Sequence, residues 1–180
     1  MTSFLEQYWP EGVPFTDFVI GAVKKAELWQ TQARRAVLHD DERIRASDLP
    51  GKRTIIVLME DWCGDAARSV PTLAALAEAS SQIELCIVDS GKHPAALDNF
   101  LTKAARAIPI ALVFNEEGEF MGVWGPRPAP LQALLRSKLR IEGSPGPEDK
   151  ESFYEPIMKW YAEDRGRTVA QELLMVLERS

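Results

Sequence analysis

The sequence has few of the residues from which metal sites and disulfide frameworks are built. Its 180 residues include only two cysteines, Cys63 and Cys86, and two histidines, His39 and His93. Two cysteines are too few for a disulfide scaffold, so a reduced, cytoplasmic setting is expected. Neither histidine has a cysteine or carboxylate at a familiar ligand spacing. We therefore predict no metal and no cofactor.

Long apolar runs and strongly basic runs are also missing. No apolar stretch approaches the roughly 18 residues that a membrane-spanning helix needs, and residues 1–10 contain Glu6 and lack a secretory pattern. The formal net charge of -6 argues against general affinity for nucleic acid or anionic membranes, because both require a basic surface. We expect no nucleic-acid or membrane partner, while the oligomeric state stays open.

The middle of the chain alternates between strand-like and helical patterns. Apolar runs predict strands at 54–59, 83–88, 110–114 and 119–124. Asn115–Gly118 joins the last two as an antiparallel hairpin. Helical periodicity predicts helices at 66–80, 94–105 and 130–139. This order of elements predicts an α/β fold with a mixed central sheet.

Both ends of the chain are predicted to be additions to this core. Residues 1–14 are expected to be irregular, and a single amphipathic helix is expected from Thr16, its N-cap, through Val37. After a Gly/Pro-rich linker, two more helices follow, the last opened by a capping box at Thr168 and Gln171. We divide the chain into an N-terminal helical extension, a core, and a linker with C-terminal helices that pack on the core, together one domain: 1–50, 51–141 and 142–180.

The stretch Trp62-Cys63-Gly64-Asp65-Ala66 lies between the first predicted strand and the first predicted core helix. A cysteine at such a junction lies near the positive end of a helix dipole, which favours the thiolate. Three carboxylates, on Glu60, Asp61 and Asp65, oppose this effect if they point at the sulfur. We prefer a reactive Cys63, and an inert one stays open.

Cys86 lies in the middle of the second predicted strand, with apolar neighbours on both sides. This position is typical of a buried structural thiol. A bridge to Cys63 would require the two Cα atoms to lie within about 7 Å of each other. We predict no disulfide between Cys63 and Cys86.

Several of these features together resemble the thioredoxin superfamily. Trp62-Cys63-Gly64 follows the first core strand, and Pro71 lies where thioredoxins carry a helix-kinking proline. Ile108-Pro109 resembles the family's cis-proline segment, and Gly125 falls near the glycine of its last active-site loop. The resemblance covers residues 50–141 and implies a thioredoxin fold, βαβ then ββα. The single-cysteine Trp-Cys-Gly-Asp motif is similar to a branch of poorly characterised bacterial proteins.

The sequence also departs from the family at two positions that matter for chemistry. Ala66 stands where thioredoxins have their second cysteine, and Val57 stands where they bury an aspartate that helps to move protons. The dithiol mechanism implied by the fold therefore cannot run inside this motif. Cys63 can attack a disulfide, but Ala66 cannot resolve the product.

The resemblance further implies a substrate groove around the cysteine. Ile108, before a cis Pro109, would pair with an extended substrate. Trp62 and Trp124 could wall the groove near Gly125, and Arg127 could receive a substrate carboxylate. Buried packing for Trp124 and an exposed arginine without such a role are the alternatives.

Two functions follow as expectations. The preferred one is a monothiol-disulfide oxidoreductase in which Cys63 attacks a protein or low-molecular-weight disulfide and an external thiol resolves the intermediate. The alternative is a redox-inactive thioredoxin-fold module that binds a peptide or partner protein.

Overall fold

Four strands form one open sheet at the centre of the molecule. The computed structural model describes residues 3–102 and 104–179. The strands are β1 (Arg53–Met59), β2 (Ile83–Asp89), β3 (Ile110–Phe114) and β4 (Phe120–Trp124). Their order is β2-β1-β3-β4, with β1 parallel to β2, and with the pairs β1–β3 and β3–β4 antiparallel. This topology confirms the predicted mixed sheet and thioredoxin fold.

The helices precede, cross over and follow this sheet. They are α1 (Phe4–Tyr8), α2 (Phe15–Gly21), α3 (Ala26–Arg35), α4 (Asp40–Ser47), α5 (Gly64–Glu78), α6 (Ala129–Glu142), α7 (Lys150–Asp164) and α8 (Arg167–Leu177). Short 3-10 turns span Trp9–Glu11 and Pro94–Leu97. No helix in the described part of the chain combines the length and apolar character needed to cross a bilayer.

Strand β1 is covered on both faces. Every residue from Ile55 to Met59 is completely inaccessible to solvent. Helices α2 and α5 pack on β2, and α8 packs on β4. The continuous apolar run of β1 is therefore the consequence of burial on both sides of the sheet.

Residues 1–14 were expected to be irregular. Of these, the structure describes residues 3–14, which contain α1 and a 3-10 turn. A capping box holds α1, in which Glu6 accepts from the Ser3 N–H at 2.7 Å and donates its own N–H to the Ser3 hydroxyl at 3.1 Å. The Ser-x-x-Glu signature was present in the sequence. In the charged segment before β1, α4 is held similarly, since the His39 N–H donates to Glu42 at 2.8 Å.

The single helix predicted from Thr16 onward is two helices, so that prediction is wrong. The N-cap of α2 is Pro14 and not Thr16. The chain then leaves the helix because the N–H groups of Val23 and Lys24 donate to the Asp61 carboxylate at 3.1 and 2.8 Å. The interruption is thus set by a distant residue, in the loop after β1.

The predicted helix over 94–105 is also wrong, and its residue 103 lies outside the described residues. Only Pro94–Leu97 is helical, as a 3-10 turn. The Asp98 carboxylate accepts from the Arg106 guanidinium at 2.7 Å, which closes the segment into a loop.

The helices α7 and α8 are separated by a turn, as predicted, but α8 does not begin with the predicted capping box. Arg165 and Gly166 both have left-handed backbone conformations, with φ of 52° and 84°. Gly166 is the N-cap of α8, whereas the Thr168 N–H and hydroxyl donate to Asp164, so the predicted capping box is wrong. A Cβ on Gly166 would overlap the Thr72 hydroxyl, and glycine therefore lets this turn lie against α5.

The last helix belongs to the main hydrophobic core, as its apolar pattern predicted. It contacts α4, α5 and β4, and its buried side chains include Val169, Leu173, Val176 and Leu177. Arg53 at the start of β1 is 5% exposed and donates to the Leu177 carbonyl at 2.7 Å. This bond satisfies one of the carbonyls that a helix end leaves free.

Helices α6 and α7 enclose a second, smaller apolar cluster. It consists of Leu131, Leu135, Phe153, Ile157 and Tyr161. Tyr161 links this cluster to the region of Cys63, as described below.

The packing of α8 predicts two different outcomes for neighbouring substitutions. Leu173→Ala removes a fully buried side chain and should lower the free energy of unfolding by about 2–5 kcal/mol. Met175→Ala, on the same helix but 64% exposed, should change it by less than about 0.5 kcal/mol. Urea unfolding followed by circular dichroism measures both. Equal effects would show that α8 is not part of the core.

Candidate functional site

Cys63 is the N-cap residue of α5 and follows the loop after β1. Its sulfur accepts the Ala66 N–H at 3.4 Å, and its thiol donates to the Ile108 carbonyl at 3.5 Å. The residue is 5% exposed. The sulfur is thus held between the start of a helix and the loop before β3, which brings Cys63 and Ile108 together.

Burial raises the pKa of the Cys63 thiol above its ordinary value, and it is the largest effect on this group. The Ala66 N–H lowers the pKa, the Asp65 carboxylate raises it, and the Arg127 guanidinium lowers it. The bond to Ile108 also needs the thiol proton and so favours the neutral form. Burial therefore opposes the thiolate that the helix dipole favours, and the reactivity of Cys63 stays a prediction.

The carboxylates of Glu60 and Asp61 have partners other than the sulfur. Glu60 accepts from the Trp62 indole at 2.6 Å and from the Ser90 hydroxyl at 3.3 Å. Asp61 caps the N–H groups at the start of the loop between α2 and α3, and its carbonyl accepts from the Trp29 indole at 2.8 Å. Trp62 itself is 46% exposed.

The Asp65 carboxylate is bound by two side chains from distant parts of the chain. Its carboxylate pairs with the Arg127 guanidinium at 2.5 Å and accepts from the Tyr161 hydroxyl at 2.9 Å. The guanidinium of Arg127 also donates to Gln132 at 3.3 Å. In this structure Arg127 therefore pairs with Asp65, and its contact with a substrate carboxylate stays a prediction.

Tyr161 is the site residue that the sequence reasoning missed. It had been assigned to the apolar stripe of a C-terminal helix, and its ring does pack there. Burial raises the pKa of its hydroxyl, which stays protonated and donates to Asp65. No local pattern in the sequence links these two residues.

The loops around the proline segment approach each other closely. The Ile108–Pro109 peptide bond is cis, as the resemblance implied. Gly125 has a φ of 119°, and a Cβ there would overlap the Pro109 carbonyl oxygen. Only glycine allows this contact.

Trp124 does not line an open groove. It is 5% exposed, and its indole donates to Glu172 of α8 at 2.8 Å. Buried packing is therefore its observed role, and the prediction of a groove wall at this position is not supported.

Cys86 is a buried thiol within β2, as predicted. Its exposure is 6%, and both cysteines are free. Burial raises the pKa of the Cys86 thiol to about 12. Within residues 3–102 and 104–179, no three histidine, cysteine, aspartate or glutamate side chains are grouped closely enough to hold a metal ion.

Comparisons with known proteins agree with this fold. A family model described as thioredoxin matches residues 12–140. The solved structure of a protein of unknown function from Pseudomonas aeruginosa is 22% identical, with 99% of this chain and 98% of that chain covered and a TM-score of 0.73. An HIV epitope-scaffold structure is 19% identical, with 96% of each chain covered and a TM-score of 0.72. No curated protein matches the sequence.

The charges around Cys63 predict opposite shifts of its pKa. Asp65→Asn removes a negative charge and should lower the pKa of the thiol, whereas Arg127→Gln removes a positive charge and should raise it. Glu60→Gln is the matched control and should leave the pKa unchanged, because Glu60 bonds Trp62 and Ser90. The pH dependence of alkylation at Cys63, followed by mass spectrometry, measures each shift. Shifts in the same direction for Asp65→Asn and Arg127→Gln would contradict the assignment.

Proposed function

We propose that this chain, which belongs to the thioredoxin family, is a binding protein that does not turn over thiols at neutral pH. The observation that carries the proposal is the state of Cys63, which is 5% exposed and has a pKa raised by burial. A cysteine attacks disulfides only as the thiolate. Its Trp-Cys-Gly-Asp motif would place the chain in a single-cysteine branch of the family.

The positions that supply the family's redox chemistry support the same proposal. Ala66 stands where a resolving cysteine is expected, and the fully buried Val57 stands where a buried aspartate is expected. Cys86 lies in β2, where its sulfur packs against Gly12. Two free, buried thiols also fit a reducing, cytoplasmic setting.

A cleft beside Trp62 is the surface that we assign to the partner. This Trp62 cleft has a volume of about 420 Å³ and apolar walls that include Val13, Phe18, Ala22 and Ile87. Its polar lining consists of five carboxylates and three basic side chains, namely Glu11, Asp17, Glu60, Asp61 and Asp89, and Lys24, Lys92 and His93. Exposed tryptophan is typical of binding hot spots. The apolar walls and the exposed tryptophan favour a peptide or partner segment with an apolar anchor.

Monothiol exchange is a second candidate, favoured by the position of the sulfur at the start of the 15-residue α5 and by the Ala66 N–H that it accepts. In that case the Cys63 thiolate would attack a disulfide R–S–S–R′, form Cys63–S–S–R and release R′S⁻. An external thiolate R″S⁻ would then attack the R sulfur, form R″–S–S–R and release the Cys63 thiolate.

Peptide binding separates the two candidates. Peptides selected from a random library on the immobilised chain should bind Cys63→Ala with a Kd within about twofold of the wild type, because no covalent step is involved. Trp62→Ala should weaken them by about tenfold or more, the loss typical of an interface hot spot. Tyr154→Ala, which removes another partly exposed aromatic ring, is the control and should have no effect.

Two results would contradict the binding proposal. One is peptide capture that is lost in Cys63→Ala. The other is a mixed disulfide at Cys63, seen by intact mass after incubation with oxidised glutathione at neutral pH. Either result would favour monothiol exchange.

A further inference from the structure

A cleft of about 610 Å³ lies between α3, α5 and α7. Three arginines line it, namely Arg35 of α3, Arg68 of α5 and Arg165, the residue after α7. No aspartate or glutamate is among the lining residues. We call this the arginine cleft. It shares no lining residue with the Trp62 cleft.

The three arginines have no carboxylate partner among the residues that the structure describes. None of them belongs to the ion pairs of the molecule. The side chain of Arg68 donates to the Gly64 carbonyl at 2.9 Å. Asp164, next in sequence to Arg165, is bonded to Thr168 instead. In a chain of net charge -6, the lining of this cleft therefore carries positive charge only, in three arginines without an ion-pair partner among the described residues.

Such an arrangement favours an anion. A guanidinium group presents planar pairs of donors that match the oxygens of phosphate and carboxylate groups. An anion in the cleft would be attracted by all three arginines of its lining. The neutral polar side chains of Gln32 and Thr72 offer further hydrogen bonds.

The other lining residues indicate which kind of ligand body the cleft would accept. Pro71, Met158 and Tyr161 supply apolar walls. The hydroxyl of Tyr161 is already bonded to Asp65, so the residue offers its ring to the cleft. The volume falls within the range of small-molecule sites, roughly 300–1,000 Å³.

We propose that the arginine cleft binds a small molecule that carries a phosphate or carboxylate group on an apolar body. The ligand's oxyanion lies among Arg35, Arg68 and Arg165, and its body lies against Pro71 and Tyr161. This site is separate from the Trp62 cleft and does not depend on the partner proposed there.

Calorimetric titration of the full chain at constant ionic strength tests the proposal. The probes are inorganic phosphate, phenyl phosphate and isophthalate, with sodium chloride as the non-specific reference. Saturable binding of phenyl phosphate, tighter than that of inorganic phosphate, is expected because the apolar walls add contacts. Tighter binding of isophthalate than of phenyl phosphate assigns the site to carboxylates.

Charge-matched variants show whether the cleft itself is responsible. Arg35→Gln and Arg165→Gln should each weaken the tighter-binding probe by about tenfold or more, the loss expected for one charge-assisted hydrogen bond. Arg34→Gln makes the same charge change at the neighbouring position of α3, where the side chain bonds Thr31 at 3.4 Å, and should stay within about twofold of the wild type. Arg165 has a left-handed backbone with a φ of 52°, so Arg165→Gln could also disturb the fold. Arg35→Gln, in the helix α3, is the second variant that avoids this effect.

Two outcomes would overturn the proposal. The first is the absence of saturable binding for all three probes at concentrations up to about 10 mM, a Kd weaker than small-molecule sites usually show. The second is equal weakening by Arg34→Gln and Arg35→Gln, which would reduce the effect to general electrostatic attraction.

Discussion

Strand β1 brings Cys63 and the proline segment together, because it is hydrogen-bonded to β2 on one side and to β3 on the other. Its residue Leu58 pairs with Ile110 of the antiparallel β3. The C-terminal end of β1 and the N-terminal end of β3 therefore lie side by side at the same end of the sheet. The loop after β1 carries Cys63 and the loop before β3 carries Ile108, so their contact follows from the strand directions.

The burial of Cys63 at this end of the sheet affects the pKa of its thiol. A helix dipole contributes about 0.3–1 kcal/mol in favour of a nearby negative charge. Burial is the largest effect on the pKa of Cys63, and it raises that pKa against the dipole. The Asp65 carboxylate, which Arg127 and Tyr161 bind, raises it further.

The parts of the fold that the sequence predicted are those set by neighbours in the chain. The four strands, α5 and the buried face of α8 follow from apolar periodicity over a few residues. The break between α2 and α3 depends on the Asp61 carboxylate, far along the chain, and periodicity does not register it. The link from Tyr161 to Asp65 and the presence of Arg35, Arg68 and Arg165 in the lining of one cleft are likewise products of tertiary packing.

The central claim is that Cys63 is a neutral thiol at physiological pH. The most direct test is the ultraviolet absorbance of the thiolate as a function of pH, taken as the difference between the wild type and Cys63→Ala. This difference isolates Cys63 from Cys86 and from the tyrosines. The structure predicts a midpoint above about 8.5, the pKa of an ordinary cysteine. A midpoint at that value would show that burial does not raise the pKa, and a midpoint below it would show an activated thiolate; either would contradict the account.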